Sequence, residues 1–344
     1  MDQNVRQAML WRKVEGQHVD CFLCEQRCHI APGKRGLCQV RENREGALYT
    51  LVYGYAIAHN VDPIEKKPLF HFYPGSTSLS IATVGCNFRC LHCQNADISQ
   101  LPRDGGGRIV GEWFPPEAVI AAAKRAGSRS ISYTYTEPTI FMEYAYDAAK
   151  LAHENGLLNN FVTNGYMTPE ALDLIDGYLD AANVDLKSFS DDFYRKVCGA
   201  RLQGVLQALR VMKEKGVWVE VTTLVIPGMN DSEAELKQIA EFVHSLGRET
   251  PWHVTAFHPT YRMTERPRTQ VESLRRARQI GLEAGLRYVY SGNVPGDQGE
   301  NTFCHHCGKE IIGRLGFTIT ERHVRNGACE FCSTPVAGIG MGEE

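Results

Sequence analysis

Eleven of the twelve cysteines in this 344-residue chain fall in three short windows, at 21–38, 86–93 and 304–332; only Cys198 stands apart. Whatever fold forms must deliver these thiols in groups. The sequence shows no signal-like apolar segment and no membrane-length apolar run, so we expect a soluble, cytoplasmic protein in a reducing compartment. There, clustered thiols point to metal ligation rather than disulfides, and inert core cysteines would be scattered. A net charge of −3 with no long basic run argues against a nucleic-acid partner, which needs clustered Lys and Arg.

Between the outer windows, strand-like and helix-like segments alternate. Strands are expected at Thr77–Val84, Ser130–Tyr135, Asn159–Thr163, Ala181–Leu186, Val217–Val225, His253–Phe257 and Arg287–Tyr290. Most are short apolar runs, the pattern of parallel strands covered on both faces. Helices are expected at Pro116–Ala126, Ile140–Asn155, Pro169–Tyr178, Leu202–Lys215, Ser232–Leu246 and Gln270–Ala284. Thr168-Pro169 and Asn230-Asp231-Ser232 supply N-terminal cap chemistry, and Gly156, Gly216 and Gly285 close three of the helices. Repeated βα units imply an α/β fold with a parallel sheet, either doubly wound or curled into a full or partial barrel. In both, function gathers in loops after the strand C-termini. The chain thus divides into a cysteine-rich segment (1–50), a βα region (51–300) and a cysteine-rich tail (301–344).

Cys86-Asn-Phe-Arg-Cys90-Leu-His-Cys93 directly follows the first of these strands, with Gly85 at the bend. Four cysteines ligate every iron of a cubane cluster, whereas three leave one iron open to bind and activate a ligand. Zinc is the rival, and His92 is the nearby residue able to complete its tetrahedron. Later strand ends carry Glu137 in Thr-Glu-Pro, Asn164 in Thr-Asn-Gly, Asp185 and Lys187 in Asp-Leu-Lys, and His258 in Ala-Phe-His-Pro. Singly, these read as a turn, surface charges and a loop histidine.

In this order the motifs resemble the radical S-adenosylmethionine (SAM) superfamily, whose signature is C-x3-C-x2-C after the first strand. The resemblance implies a partial (β/α)6 barrel, a [4Fe–4S] cluster on Cys86, Cys90 and Cys93, and SAM at the open iron. It also implies reductive cleavage of SAM to a 5′-deoxyadenosyl radical that abstracts hydrogen from a substrate. By the same resemblance Glu137 meets the SAM amino group, Asn164 belongs to a frequent turn, and Asp185 and Lys187 contact SAM. His258 would lie beside the adenosine ribose. Departures are His92, where an aromatic residue is usual, and Tyr135-Thr136, where two glycines are usual.

The block from Asp62 to Gly75, then Ser80–Cys86 and Cys93-Gln-Asn95, with the flanking cysteines, resembles the AmmeMemoRadiSam family. That family lies within the pyruvate formate-lyase activating enzyme-like group. This implies a flavodoxin- or ferredoxin-type electron donor and Memo-like and AMMECR-domain proteins as partners; the substrate is a small molecule or a protein. One alternative is a glycyl radical enzyme activase acting on a protein partner. A second is a non-catalytic metal or redox protein with every cysteine set filled by zinc.

The outer sets are read from spacing. Cys304-His-His-Cys307 and Cys329-Glu-Phe-Cys332 form paired knuckles in a tail too small for its own core, so a metal staple is expected. Zinc is favoured there, with rubredoxin-like iron as runner-up. Cys21, Cys24, Cys28 and Cys38 make a closed four-thiolate site plausible, for zinc or an auxiliary cluster. Cys198 lies after the Asp-Leu-Lys strand, on the side where the active site should open. A lone cysteine is usually a small core residue; the functional reading is catalytic, giving a hydrogen atom to a substrate radical or holding it. Lys66 and Lys67 suggest a site for a substrate carboxylate, but charges in a pre-strand loop are expected to be solvated.

Overall fold

The computed structural model describes residues 3–342. Its centre is one eight-stranded sheet with strands β1 (Ala58–Pro63), β2 (Thr77–Ala82), β3 (Ser130–Tyr133), β4 (Leu158–Thr163), β5 (Ala181–Asp185), β6 (Trp218–Val225), β7 (Trp252–Ala256) and β8 (Val289–Gly292). They lie side by side in chain order; β1 is antiparallel to β2, and every other pair is parallel. Neither edge strand pairs with the other, so the barrel is partial. All seven expected strands are present. Helices α1 (Pro116–Arg125), α2 (Met142–Glu154), α3 (Pro169–Ile175), α4 (Leu202–Glu214), α5 (Glu233–Ser245) and α6 (Val271–Glu283) link successive parallel strands. The architecture is therefore six strand–helix units, extended by a seventh parallel strand and an antiparallel edge.

The pleat explains why the strands read as apolar runs broken by small polar residues. Ile131, Tyr133, Phe161, Val184, Val219, Val221 and Val254 are wholly buried in the core shared with the helices. Ser132 is in register with Ser80 and with Asn160, so these alternate positions share the opposite face. There they bond sideways: Ser132 Oγ reaches Ser78 Oγ (2.6 Å) and Asn160 Oδ1 (2.7 Å), and Thr222 Oγ1 donates to Asn183 Oδ1 (2.8 Å). The barrel interior is thus polar but internally satisfied. The Thr168 hydroxyl accepts from Ala171 N (3.2 Å), and Ser232 caps α5, as their sequence positions predict.

One end of the barrel is sealed. The Glu220 carboxylate accepts from Phe70 N, His71 N, Trp218 Nε1 and His253 Nε2, which fixes residues 70–71 across the opening. Arg314, from the C-terminal ribbon, is also wholly buried and donates to Phe70 O (3.1 Å) and Thr302 Oγ1 (2.8 Å). Ile339 and residues 71–73 exchange two backbone hydrogen bonds. The ribbon, a three-stranded antiparallel sheet over 302–322 followed by a small hairpin, therefore forms part of the floor. Among the described residues no helix is long and apolar enough to cross a membrane.

Candidate active site

The open end of the barrel lies beyond the C-termini of the parallel strands, and the central cysteine loop sits there. Strand β2 ends at Ala82, and Gly85 turns the chain with φ +99°. A Cβ at this position would come 2.7 Å from Val40 Cγ1 and 3.0 Å from the Cys38 carbonyl, so only glycine fits against the N-terminal segment. Cys86 and Cys90 are buried and Cys93 is half-buried. Backbone bonds from Arg89 N to Cys198 O (2.8 Å) and from Leu91 N to Val197 O (3.0 Å) fasten the loop to residues 194–198.

The other strand ends brace this loop. Asn164 Nδ2 donates to Asn87 Oδ1 (2.7 Å) and lies 3.8 Å from Cys86 Sγ, while its own Oδ1 accepts from Tyr166 N (3.0 Å). Gly165 (φ +69°) allows that turn, since a Cβ would meet Val184 Cγ1 at 2.6 Å. Glu137 is wholly buried. One oxygen accepts from Thr139 and from the Thr163 hydroxyl (2.7 Å), the other from Asn164 N (2.8 Å). It therefore ties the second and third strand-end turns together, and burial pushes its pKa up against these donors. Tyr135 keeps a left-handed φ of +62° where the superfamily pattern carries glycine. Asn95 Nδ2 holds its carbonyl (2.7 Å), offsetting a backbone conformation that costs a non-glycine residue about 1–2 kcal/mol.

Asp185 and Lys187 pair with each other: Lys187 Nζ donates to Asp185 Oδ2 at 2.8 Å. His258 follows β7 and is exposed. Glu137, Asn164, Asp185, Lys187 and His258 thus all lie at or just beyond strand ends on the cysteine-loop side.

Two expectations need correction. Cys198 is wholly buried and its thiol bonds Cys90, so it faces the central cysteine loop rather than standing open to a substrate. That hydrogen bond is the main reason the Cys90 thiol titrates low, whereas burial pushes Cys86 and Cys93 up. Lys67 is not solvated. It is 1% exposed, donates to Asp62 Oδ2 (2.7 Å) and lies 4.7 Å from the Tyr135 ring centroid; burial lowers its pKa to about 8. Asp62 also accepts from Lys66, Ser80 and Tyr135. Sequence reading missed this cluster around Asp62 because Asp62 and Tyr135 are far apart in the chain. The one available signal was Asp62 five residues before Lys67, across a turn.

The cysteine sets differ in spacing. In the ribbon, Cys304 and Cys332 sulfurs are 3.6 Å apart and Cys307 and Cys329 sulfurs 3.8 Å. A tetrahedral ion with bonds of about 2.3 Å needs sulfurs roughly 3.8 Å apart, so this set fits a single metal. Among the described residues it is the one group of Cys, His, Asp or Glu ligands gathered to that spacing. The central three do not close on one ion with His92, whose buried Nδ1 has no partner and whose pKa burial lowers to about 3. Two buried thiols and a half-buried third, not gathered to single-ion spacing, with the Asn87 amide nitrogen also unpartnered among the described residues, fit a sulfide-bearing cage better than zinc.

A partial βα barrel with such a loop on its first parallel strand defines a class. Residues 80–243 match the family model of the radical SAM superfamily, so the barrel carries a radical SAM domain. Such a domain implies a [4Fe–4S] cluster and SAM. Over 335 residues the chain is 46% identical to the uncharacterized protein MJ0808 of Methanocaldococcus jannaschii, covering 96% of this chain and 99% of that one. It is 23% identical over 177 residues to pyruvate formate-lyase 1-activating enzyme of Escherichia coli K12, covering 51% and 71% of the two chains. Among solved structures, Streptococcus suis SuiB bound to S-adenosylmethionine matches with a TM-score of 0.51 at 13% identity, covering 70% of this chain and 56% of that one. A radical SAM methyltransferase from Sphaerobacter thermophilus matches at 0.50 and 18%, covering 67% and 71%. At these identities the structural matches speak for the fold alone.

Proposed function

We propose that this protein is a radical SAM enzyme in which Cys86, Cys90 and Cys93 hold a [4Fe–4S] cluster and the barrel interior receives the substrate. The observation that carries this reading is the three-thiol loop at the open barrel end, braced by Asn164 and, through it, by Glu137. When bound, the cluster and SAM supply a one-electron reductive cleavage that yields a 5′-deoxyadenosyl radical. The chain's own residues do the rest. Lys187, with Asp185 beside it, offers a cation to the SAM carboxylate, and His258 stands at the same rim for the adenosine ribose. Glu137 positions Asn164 and the cysteine loop, with both its carboxylate oxygens engaged by the protein. The sealed floor and the apolar helix layer exclude water from the interior, which a carbon radical requires.

Within the superfamily we assign the chain to the AmmeMemoRadiSam family of pyruvate formate-lyase activating enzyme-like proteins, with Memo-like and AMMECR-domain proteins as its partners. A flavodoxin- or ferredoxin-type protein is the proposed electron donor. A groove of about 300 Å³ beside the cysteine loop gathers Arg89, Arg103, Lys196 and Arg262, a basic rim suited to an acidic donor. The polar interior, with Asp62, Lys67 and Tyr135 on its wall, favours a small polar substrate; the likeness to an activating enzyme favours a protein. Zinc in the ribbon completes the assignment. The test is anaerobic reconstitution with iron and sulfide, then dithionite and SAM. 5′-Deoxyadenosine should form, and its absence from fully reconstituted protein overturns the reading.

A further inference from the structure

We propose that Cys21, Cys24, Cys28 and Cys38 hold a second [4Fe–4S] cluster, with all four irons ligated by protein. The four cysteines line one cavity, together with Leu23, Ile30, Ile140 and Arg41. Its walls are apolar apart from the thiols, Gln26 and the Arg41 guanidinium, as a site for a sulfur-rich cage requires. The ribbon acts as an internal control: its four sulfurs are drawn to single-ion spacing, and the N-terminal four are not. A cubane spreads its thiolate ligands over the corners of a cage of four irons, so its sulfurs stand farther apart than those around one ion.

A second observation separates the cage from a zinc ion. Arg41 is 1% exposed, and its Nη1 donates to Cys21 Sγ at 3.2 Å. Its Nη2 is taken by Met9 O and Glu143, yet its buried Nε has no partner among the described residues. A buried donor without an acceptor is costly, by about 1–3 kcal/mol. A bare metal ion offers it nothing, whereas the inorganic sulfides of a cluster held in the cavity that Arg41 lines would be hydrogen-bond acceptors.

The site is also built against the central loop. Gln26 Nε2 donates to both Asn87 O and Gly199 O (2.9 Å each), Cys24 bridges to Met167 in the turn after β4, and the Cys38 carbonyl packs on Gly85. A cage with every iron ligated has no open position for SAM, so the two clusters would differ in chemistry while sharing a wall.

The inference is independent of the function proposed above and is tested apart from it. Full-length protein is reconstituted anaerobically, as wild type and as Cys86→Ala/Cys90→Ala/Cys93→Ala, and assayed for iron, zinc and acid-labile sulfide. Wild type should bind roughly eight sulfides per chain and the triple variant roughly four, one cubane's worth. The triple variant should also show a cubane EPR signal after dithionite. Sulfide-free triple variant, with zinc or nothing in its place, overturns the proposal; iron in the ribbon cannot mimic it, because a rubredoxin-type site holds no sulfide. Cys24→Ser/Cys28→Ser in the wild-type background should remove half the sulfide. Should that variant not fold, Mössbauer spectra of intact wild type still decide between one cubane and two.

Discussion

The ribbon and the central loop both present closely spaced cysteines on turns, yet they are built for opposite ends. In the ribbon two knuckles face each other and draw four sulfurs to the corners of one tetrahedron, leaving no position for a substrate. In the central loop three thiols come from a single turn, fastened on both sides by other strand ends, and among the described residues no ligand closes the fourth corner. The first arrangement stabilises; the second leaves chemistry unfinished. Spacing in sequence separates them poorly, and the spacing of sulfur atoms separates them well.

That contrast can be broken most directly by substitution. Cys86→Ala should abolish 5′-deoxyadenosine formation to background while leaving the ribbon metal in place, as read by metal analysis beside the SAM-cleavage assay. Chelation or Cys304→Ala/Cys329→Ala should do the reverse. The metal goes, thermal unfolding falls by several degrees because the ribbon shares the barrel floor, and the iron–sulfur absorbance survives. If chelation bleaches the cluster as readily, the two sites are not separate in kind.

Glu137→Gln sharpens the picture of the braced loop. Every contact of this carboxylate is to a donor, so an amide nitrogen would face Asn164 N, Thr139 or Thr163 and leave buried donors unpaired. The expected cost is about 1–3 kcal/mol in urea unfolding. SAM cleavage should fall with it, since the Asn164 turn loosens.

Lys67 gives a pH signature. Its folded pKa of about 8 lies below the ordinary lysine value of 10.5, so between these values the unfolded chain binds more protons than the folded one. The burden of burying this charge is complete below about pH 8 and is relieved as pH rises toward 10.5. Wild type should therefore gain stability relative to Lys67→Met across that window, and a flat difference would remove the assignment. The smallest effect belongs to Cys198→Ala. Losing a hydrogen bond to Cys90 should move the cluster potential downward in an EPR redox titration while leaving product formation intact.

Much of the scaffold was legible because parallel strands buried on both faces leave short apolar runs, and all seven appear within a few residues of where those runs predict them. The antiparallel edge Ala58–Pro63 escaped notice: its burial is patchy, and Asn60, Asp62 and Pro63 break any strand pattern. The candidate site divides the same way. Motif residues at strand ends are readable because their place is set by local sequence. Pairings across the barrel are not. Lys67 looks like a solvated loop charge until β1 and the strand-end turn at Tyr135 bring Asp62 and an aromatic ring to it. Cys198 admits a catalytic reading beside the commoner one of a core cysteine, and its burial against Cys90 favours the core.

The floor of the barrel carries a consequence for how the chain is made. Residues 70–73 emerge early from a ribosome, but their partners Arg314, Ala337 and Ile339 are translated more than two hundred residues later. A nascent chain that has completed all seven parallel strands can already lay residues 70–71 over Glu220, but it still lacks the ribbon that locks them there. Contacts of such long sequence separation form late and slowly. An interruption of synthesis after the last strand would therefore yield a barrel whose floor is laid but not locked by the ribbon.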